Sequence, residues 1–209
     1  MSLKRGSLAI FVALISLALA NSAAANSVDM KYLGIHNEKF IFSIDGSRHF
    51  TALMCDSYDN NIHPGESWTA TVSPFLAGIA HSMFGPNMTL DYKAAGLIYK
   101  SMLAGTLDIT HAQWAVWGLF STNAENTRQF QYLGGAAIDA AYLAMAQTAP
   151  NSAYNGLLLY TPLGAKPGSG PQEFIGYKCT TIPEPGSLTL LGTGLIVLGG
   201  AMKLKFTKV

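Results

Sequence analysis

The chain is poor in charge and in cysteine. Asp, Glu, Lys and Arg make up 12% of its 209 residues, and the formal net charge is +1. Residues 26–182 alone hold 8 basic and 11 acidic residues, a net charge of −3, which excludes a basic nucleic-acid-binding domain. There is no Gly-rich phosphate loop, no His-Glu-x-x-His, no EF-hand spacing and no Gly-x-Ser-x-Gly elbow, so phosphate, zinc, calcium and hydrolase chemistry lack their usual carriers. Histidines 36, 49, 63, 81 and 111 stand without metal-ligand spacing. No metal or cofactor is expected, and no repeat or sustained heptad appears. The only cysteines are Cys55 and Cys179, so one disulfide is the most the chain can form.

Long apolar runs are confined to the two ends. Lys4 and Arg5 precede an apolar stretch over 8–20, followed by small residues up to Ala23-Ala24-Ala25. This is the pattern of a secretory signal peptide over 1–25, cut after Ala25, and it implies a secretion translocon and a signal peptidase as partners. At the other end, Pro183-Glu184-Pro185 leads into an uncharged stretch over 187–202 and then Lys203, Lys205 and Lys208. That stretch is expected to form a transmembrane helix with its basic tail in the cytoplasm.

Taken together, Pro183, Glu184 and Pro185, the Gly-rich apolar stretch and the basic tail resemble the PEP-CTERM sorting signal of exosortase substrates in Gram-negative bacteria. The resemblance covers residues 183–209. It implies retention in the inner membrane, recognition by an exosortase-like membrane processing enzyme near the Pro-Glu-Pro motif, and delivery to the cell surface or extracellular matrix.

Between the ends lies one exported domain, 26–182. Phe40, Phe42 and Ile44 alternate with polar neighbours, Asp45-Gly46 follows, and Phe50, Ala52 and Met54 continue the alternation. This predicts a β-hairpin ending at Cys55. A second alternation runs through Trp68, Ala70 and Val72. From Asn87 the period becomes helical, with Gly105 as a stop, and further helices are predicted over 109–120 and 135–148. Short strands are expected over 156–160 and 173–178. The fold class expected is therefore α+β: a strand-rich first half, two or three central helices, and short C-terminal strands.

Few residues in this domain carry chemistry. Asp56, Asp59 and Glu66 cluster in a polar loop and serve either as calcium ligands or as a solvated face. Asn87-Met88-Thr89 fits a glycosylation sequon. Cys55 and Cys179, in an exported chain, are expected to form one disulfide across about 125 residues. A second reading starts from Leu53-Met54-Cys55-Asp56 and, 58 residues after the cysteine, Gln113-Trp114-Ala115-Val116-Trp117. These segments resemble the thioester domains of bacterial surface adhesins, which pair a cysteine with the glutamine of a Thr-Gln-x-Ala-Ile-Trp motif. Ala112 stands where that motif has Thr, and Val116 where it has Ile. The resemblance implies Cys55 as the thiol, Gln113 as its carboxamide partner, and Ala115, Val116 and Trp117 as the packed face behind them. Thr110 and Gln113 also have the spacing of a helix capping box, which gives Gln113 a structural use. The disulfide and the thioester exclude one another. Either way the chain is expected to be a non-enzymatic surface or matrix protein, structural or adhesive, with an exopolysaccharide or other surface polymer as partner through aromatics such as Tyr58, Tyr132, Tyr154 and Tyr160. Its alternative role is that of a covalent adhesin acylating an amine on a surface ligand.

Overall fold

The computed structural model describes residues 26–178. Strands β1 (Asn26–His36), β2 (Lys39–Ile44) and β3 (Phe50–Cys55) run up and down, and β4 (Ser67–Pro74) returns beside β1. After a helical excursion the chain adds β5 (Leu157–Pro162) and β6 (Phe174–Tyr177). The strand order β1-β2-β3-β6-β5-β4 closes into a barrel, antiparallel throughout. This corrects the expected α+β class. Strands at the two ends of the domain's sequence do not form separate sheets, because β5 and β6 fill the gap between β4 and β3.

Closure depends on β1, which serves two neighbours. Its first half, Asn26 to Lys31, pairs with Val72 to Ser67 of β4, while Met30 to His36 pairs with Ile44 to Lys39 of β2. A register shift between Tyr32 and Gly34 bends the strand from one partner to the other, as bulges do at barrel corners. The β2–β3 connection uses Asp45 and Gly46, both with positive φ (51° and 67°), as a primed hairpin turn requires. The Asp45 carboxylate also accepts the Asp29 backbone N–H at 2.8 Å, tying this turn to β1.

Between β4 and β5 lie α1 (Phe75–Gly78), α2 (Thr89–Leu103), α3 (Ile109–Phe120), α4 (Thr122–Glu125), α5 (Arg128–Tyr132) and α6 (Gly135–Thr148). Helix α3 begins at Asp108, whose side chain accepts the backbone N–H groups of Thr110 and His111. The Thr110/Gln113 capping box therefore does not form, and Gln113 is free for another use. None of the helices among the described residues is long and apolar enough to cross a membrane. The expected transmembrane helix is corrected accordingly: the stretch 187–202 lies outside the described residues, as do the predicted signal peptide over 1–25 and the Pro183-Glu184-Pro185 motif.

Two hydrophobic compartments share the barrel wall. Tyr32, Phe40, Phe42, Leu53, Cys55, Tyr160 and Phe174 fill the barrel, whereas Met54, Tyr92, Ile98, Val116, Leu159 and Ile175 form the layer under the helices. The period of two along β3 and β6 assigns alternate residues to each compartment. Glycine permits two close approaches. The Phe130 ring sits between α3 and α6, and a Cβ on Gly118 or on Gly135 would stand 2.2 Å from it. Asp139 is buried on α6, next to this contact; burial, with Glu125 and Asp91 adding repulsion, pushes its carboxyl up to about 8.

Gly118→Ala is expected to destabilise the domain by roughly 1–3 kcal/mol through overpacking, read as a lower urea midpoint. Asp139 supplies a second check. Its folded-state affinity for a proton exceeds that of the unfolded chain, so its contribution is complete below the ordinary carboxylate range and is lost as pH rises through about 8. Melting temperature should therefore fall between about pH 4 and 8, and Asp139→Asn should flatten that slope.

Candidate functional site

Cys55 is the last residue of β3 and lies opposite Phe174 of β6. On its other side β2 stops early: its pairing with β3 ends at Phe40 and Leu53. Gln113, one turn into α3, takes over that edge. Its Oε1 accepts the Cys55 backbone N–H at 3.2 Å, and its Nε2 donates to the Cys55 carbonyl at 2.5 Å. The carboxamide thus acts as one more peptide unit of the sheet, and both partners are buried. Burial of an amide demands such pairing, since an unmet backbone group in the interior costs about 1–3 kcal/mol.

The thiol itself is enclosed. Cys55 has no exposed surface, and burial first, then the neighbouring Asp56, pushes its thiol up to about 12. Ser57 and the Trp117 indole act in the opposite direction, and the indole N–H meets no other hydrogen-bond acceptor. Aromatic rings complete the enclosure. Trp117 packs on Phe40 at 6.4 Å, on Tyr58 at 5.2 Å and on Trp114 at 5.0 Å, while Phe40 meets Phe174 at 5.6 Å. Outside this wall is an open groove of about 510 Å³ lined by Tyr32, Phe40, Tyr58, Asp59, Trp117 and Gln172. Three of these, Tyr32, Phe40 and Trp117, also belong to the cluster that holds Cys55.

Cys55 is a free thiol, which corrects the expected disulfide with Cys179. The register supplies a reason. Cys55 faces Phe174, and β6 runs on to Tyr177, three residues or about 10 Å further along at the rise of a strand; a disulfide needs Cα atoms within about 7 Å. Cys179 itself lies outside the described residues.

Immediately beyond the cysteine the chain is pinned by polar contacts. Asn60 donates to the carbonyls of Lys166 and Gly170 at 2.9 and 3.0 Å and accepts the Gly168 N–H at 2.8 Å. Gln172 donates to the carbonyls of Asn60 and Ser57 at 2.7 and 3.2 Å. Asp56, Ser57 and Glu173 are all completely buried. The Glu173 carboxylate accepts from the hydroxyls of Tyr92 and Thr161 and from the Met83 N–H at 3.0 Å. Neither Asp56 oxygen receives a hydrogen bond. Burial and the adjacent Glu173 drive the Asp56 carboxyl well above its usual range, which favours its neutral form.

Of the two readings of Asp56, Asp59 and Glu66, calcium ligands or a solvated face, the first has no cluster among the described residues to support it. Asp56 turns inward to Glu173, Asp59 accepts from Ser121 and Asn123 at 2.7 and 2.8 Å, and Glu66 accepts the His63 N–H at 2.9 Å. Of the four tyrosines considered for polymer contact, Tyr132 is exposed, Tyr58 is half-buried, and Tyr154 and Tyr160 are core residues. Sequence reasoning did bring together Cys55, Gln113 and Trp117. It missed Ser57, Asn60, Gln172 and Glu173, which carry no motif and become neighbours only through the β3–β6 pairing. No protein-family model, curated protein or solved structure matches the chain.

The Gln113 bridge can be weighed without any covalent contribution in a Cys55→Ala background, which keeps the backbone groups. Adding Gln113→Ala there should cost roughly 1–3 kcal/mol, measured by urea unfolding.

Proposed function

We propose that the chain is an exported, non-enzymatic surface protein whose domain captures a ligand covalently through an internal thioester between Cys55 and Gln113. The observation that carries this reading is the seating of the Gln113 carboxamide against the Cys55 backbone, in a site where the thiol has no exposed surface. Proximity of this kind replaces a bimolecular encounter and is worth several kcal/mol of barrier. The Cys55 sulfur attacks Gln113 Cδ, the C–N bond breaks, the amide nitrogen leaves as ammonia with the thiol proton, and a C–S bond remains. Water is kept away by Trp117, Phe40 and Tyr32. An amine on a surface ligand then attacks the same carbon. A C–N bond forms, the C–S bond breaks, and the sulfur regains a proton.

The process is stoichiometric, because each molecule ends as an amide of its ligand and does not turn over. The groove beyond the aromatic wall gives the ligand a place to dock before the wall opens. An amine-bearing surface polymer, including an exopolysaccharide, is the partner class this chemistry accepts. Export through the leader over 1–25 and processing by an exosortase-like enzyme at Pro183-Glu184-Pro185 would deliver the domain to the cell surface or matrix.

The test is intact mass of the exported protein. The mature chain should weigh about 17 Da less than its sequence, from ammonia loss, and should gain about 31 Da with methylamine. Cys55→Ala and Gln113→Ala should each abolish both changes. A mature chain of unreduced mass that ignores methylamine leaves a noncovalent structural or adhesive protein.

A further inference from the structure

The groove outside the aromatic wall has a composition that thioester chemistry alone does not require. Its volume of about 510 Å³ lies in the range of small-molecule sites, about 300–1,000 Å³. Tyr58 and Trp117 both line it, both are half-buried, and their ring centroids lie 5.2 Å apart at 65°. Asp59, Asn61 and Gln172 add a carboxylate and two amides. Among the described lining residues Asp59 is the one acid, no Lys, Arg or His accompanies it, and it forms no ion pair with a described residue.

The polar groups are set before any ligand arrives. Asp59 accepts one hydrogen bond on each oxygen, from Ser121 and Asn123 at 2.7 and 2.8 Å, and a carboxylate has lone pairs for more. Asn60, next in the chain, is buried and bonded through both ends of its amide to the 166–171 loop, so Asp59 and Asn61 flank an anchored residue. The Asn61 side chain is exposed and makes no hydrogen bond among the described residues. Gln172 is only 7% exposed; its Nε2 is spent on the Ser57 and Asn60 carbonyls, while its Oε1 meets no donor. A buried acceptor without a donor costs about 1–3 kcal/mol, which a hydroxyl brought in through the groove would recover.

These features select among amine-bearing ligands. A carboxylate in a cleft without cations repels phosphates and carboxylates and attracts an ammonium group, which indole and phenol faces also hold. A flexible alkylammonium uses no more than that. Amides with open donor and acceptor positions suit a ligand rich in hydroxyls, and the rings offer apolar surface to its C–H face. On the reading that this groove receives the ligand, we propose that it is a glycan-binding site for an amino-sugar unit with a free primary amine, the ammonium set against Asp59, the pyranose ring against Tyr58 and Trp117, and hydroxyls on Asn61 and Gln172. Recognition is noncovalent and precedes any chemistry at Cys55. The fixed positions of Asp59 and Asn60 limit the entropy lost on binding.

Binding is measured by isothermal titration calorimetry at about pH 6 and low ionic strength. The sample is the purified protein made from the full chain, treated with methylamine and dialysed so that no thioester remains. A β-linked glucosamine tetramer should bind, and its fully N-acetylated counterpart, which lacks the charge, should bind about tenfold more weakly. Tetralysine, which has the amine without the ring, should also bind about tenfold more weakly. Asp59→Asn should erase the preference for the free amine and bring the two sugar tetramers within about threefold of each other. Tyr58→Ala should weaken both by a similar factor, roughly tenfold, and keep the preference. If Asp59→Asn does not fold, Asn61→Lys, at an exposed position, sets a cation beside Asp59 and should erase the same preference. The proposal is overturned by a folded wild type that ignores the glucosamine tetramer, by equal binding of the acetylated tetramer or of tetralysine, or by a preference that survives in folded Asp59→Asn or Asn61→Lys. The thioester fails separately. A chain that binds the glucosamine tetramer but never shows the loss of about 17 Da keeps the glycan site and loses the covalent step; one that shows the loss without binding keeps the thioester and loses the site.

Discussion

One side-chain amide holds this domain's two halves in register. Gln113 belongs to the helical layer, Cys55 to the barrel, and the pair of hydrogen bonds between them is made where β2 no longer reaches. A strand edge left open at that point would carry an unmet N–H and C=O into the core. Because a helix residue fills it, α3 cannot shift along the barrel without breaking the sheet's last rung. The aromatic wall depends on the same anchor, since Trp114 and Trp117 follow Gln113 on α3 and meet Tyr58 and Phe40 only in this register.

Local elements were largely legible in the sequence, and their assembly was not. The hairpin around Asp45 and Gly46, the helix over 109–120 and the helix over 135–148 all appear where periodicity and stop signals place them. Strand β1 escaped notice because only Met30 and Tyr32 along it are buried, too few for an alternation to stand out. Barrel closure escaped for a different reason. It follows from β5 and β6 entering between β4 and β3, a choice among pairings that no local pattern records.

The candidate site divides along the same line. Cys55 and Gln113 could be paired because a motif links them across 58 residues. Glu173 could not be paired with Asp56, because an isolated Glu in a strand reads as an outward-facing residue until β6 is known to turn it toward α2. Cys179 attracted a pairing from compartment and count alone, and the burial of Cys55 among barrel aromatics removes that attraction.

The order of the strands also sets a clock. The barrel shuts only when Phe174–Tyr177 pairs between β3 and β5, and that segment is the last strand of the domain in chain order. Until then Asp56 lacks Glu173, Cys55 lacks the cover of Phe174, and the sulfur stands open to water. Long-range closure of this sort is intrinsically slow. The environment that Cys55 and Gln113 share is therefore among the last parts of the domain to be completed.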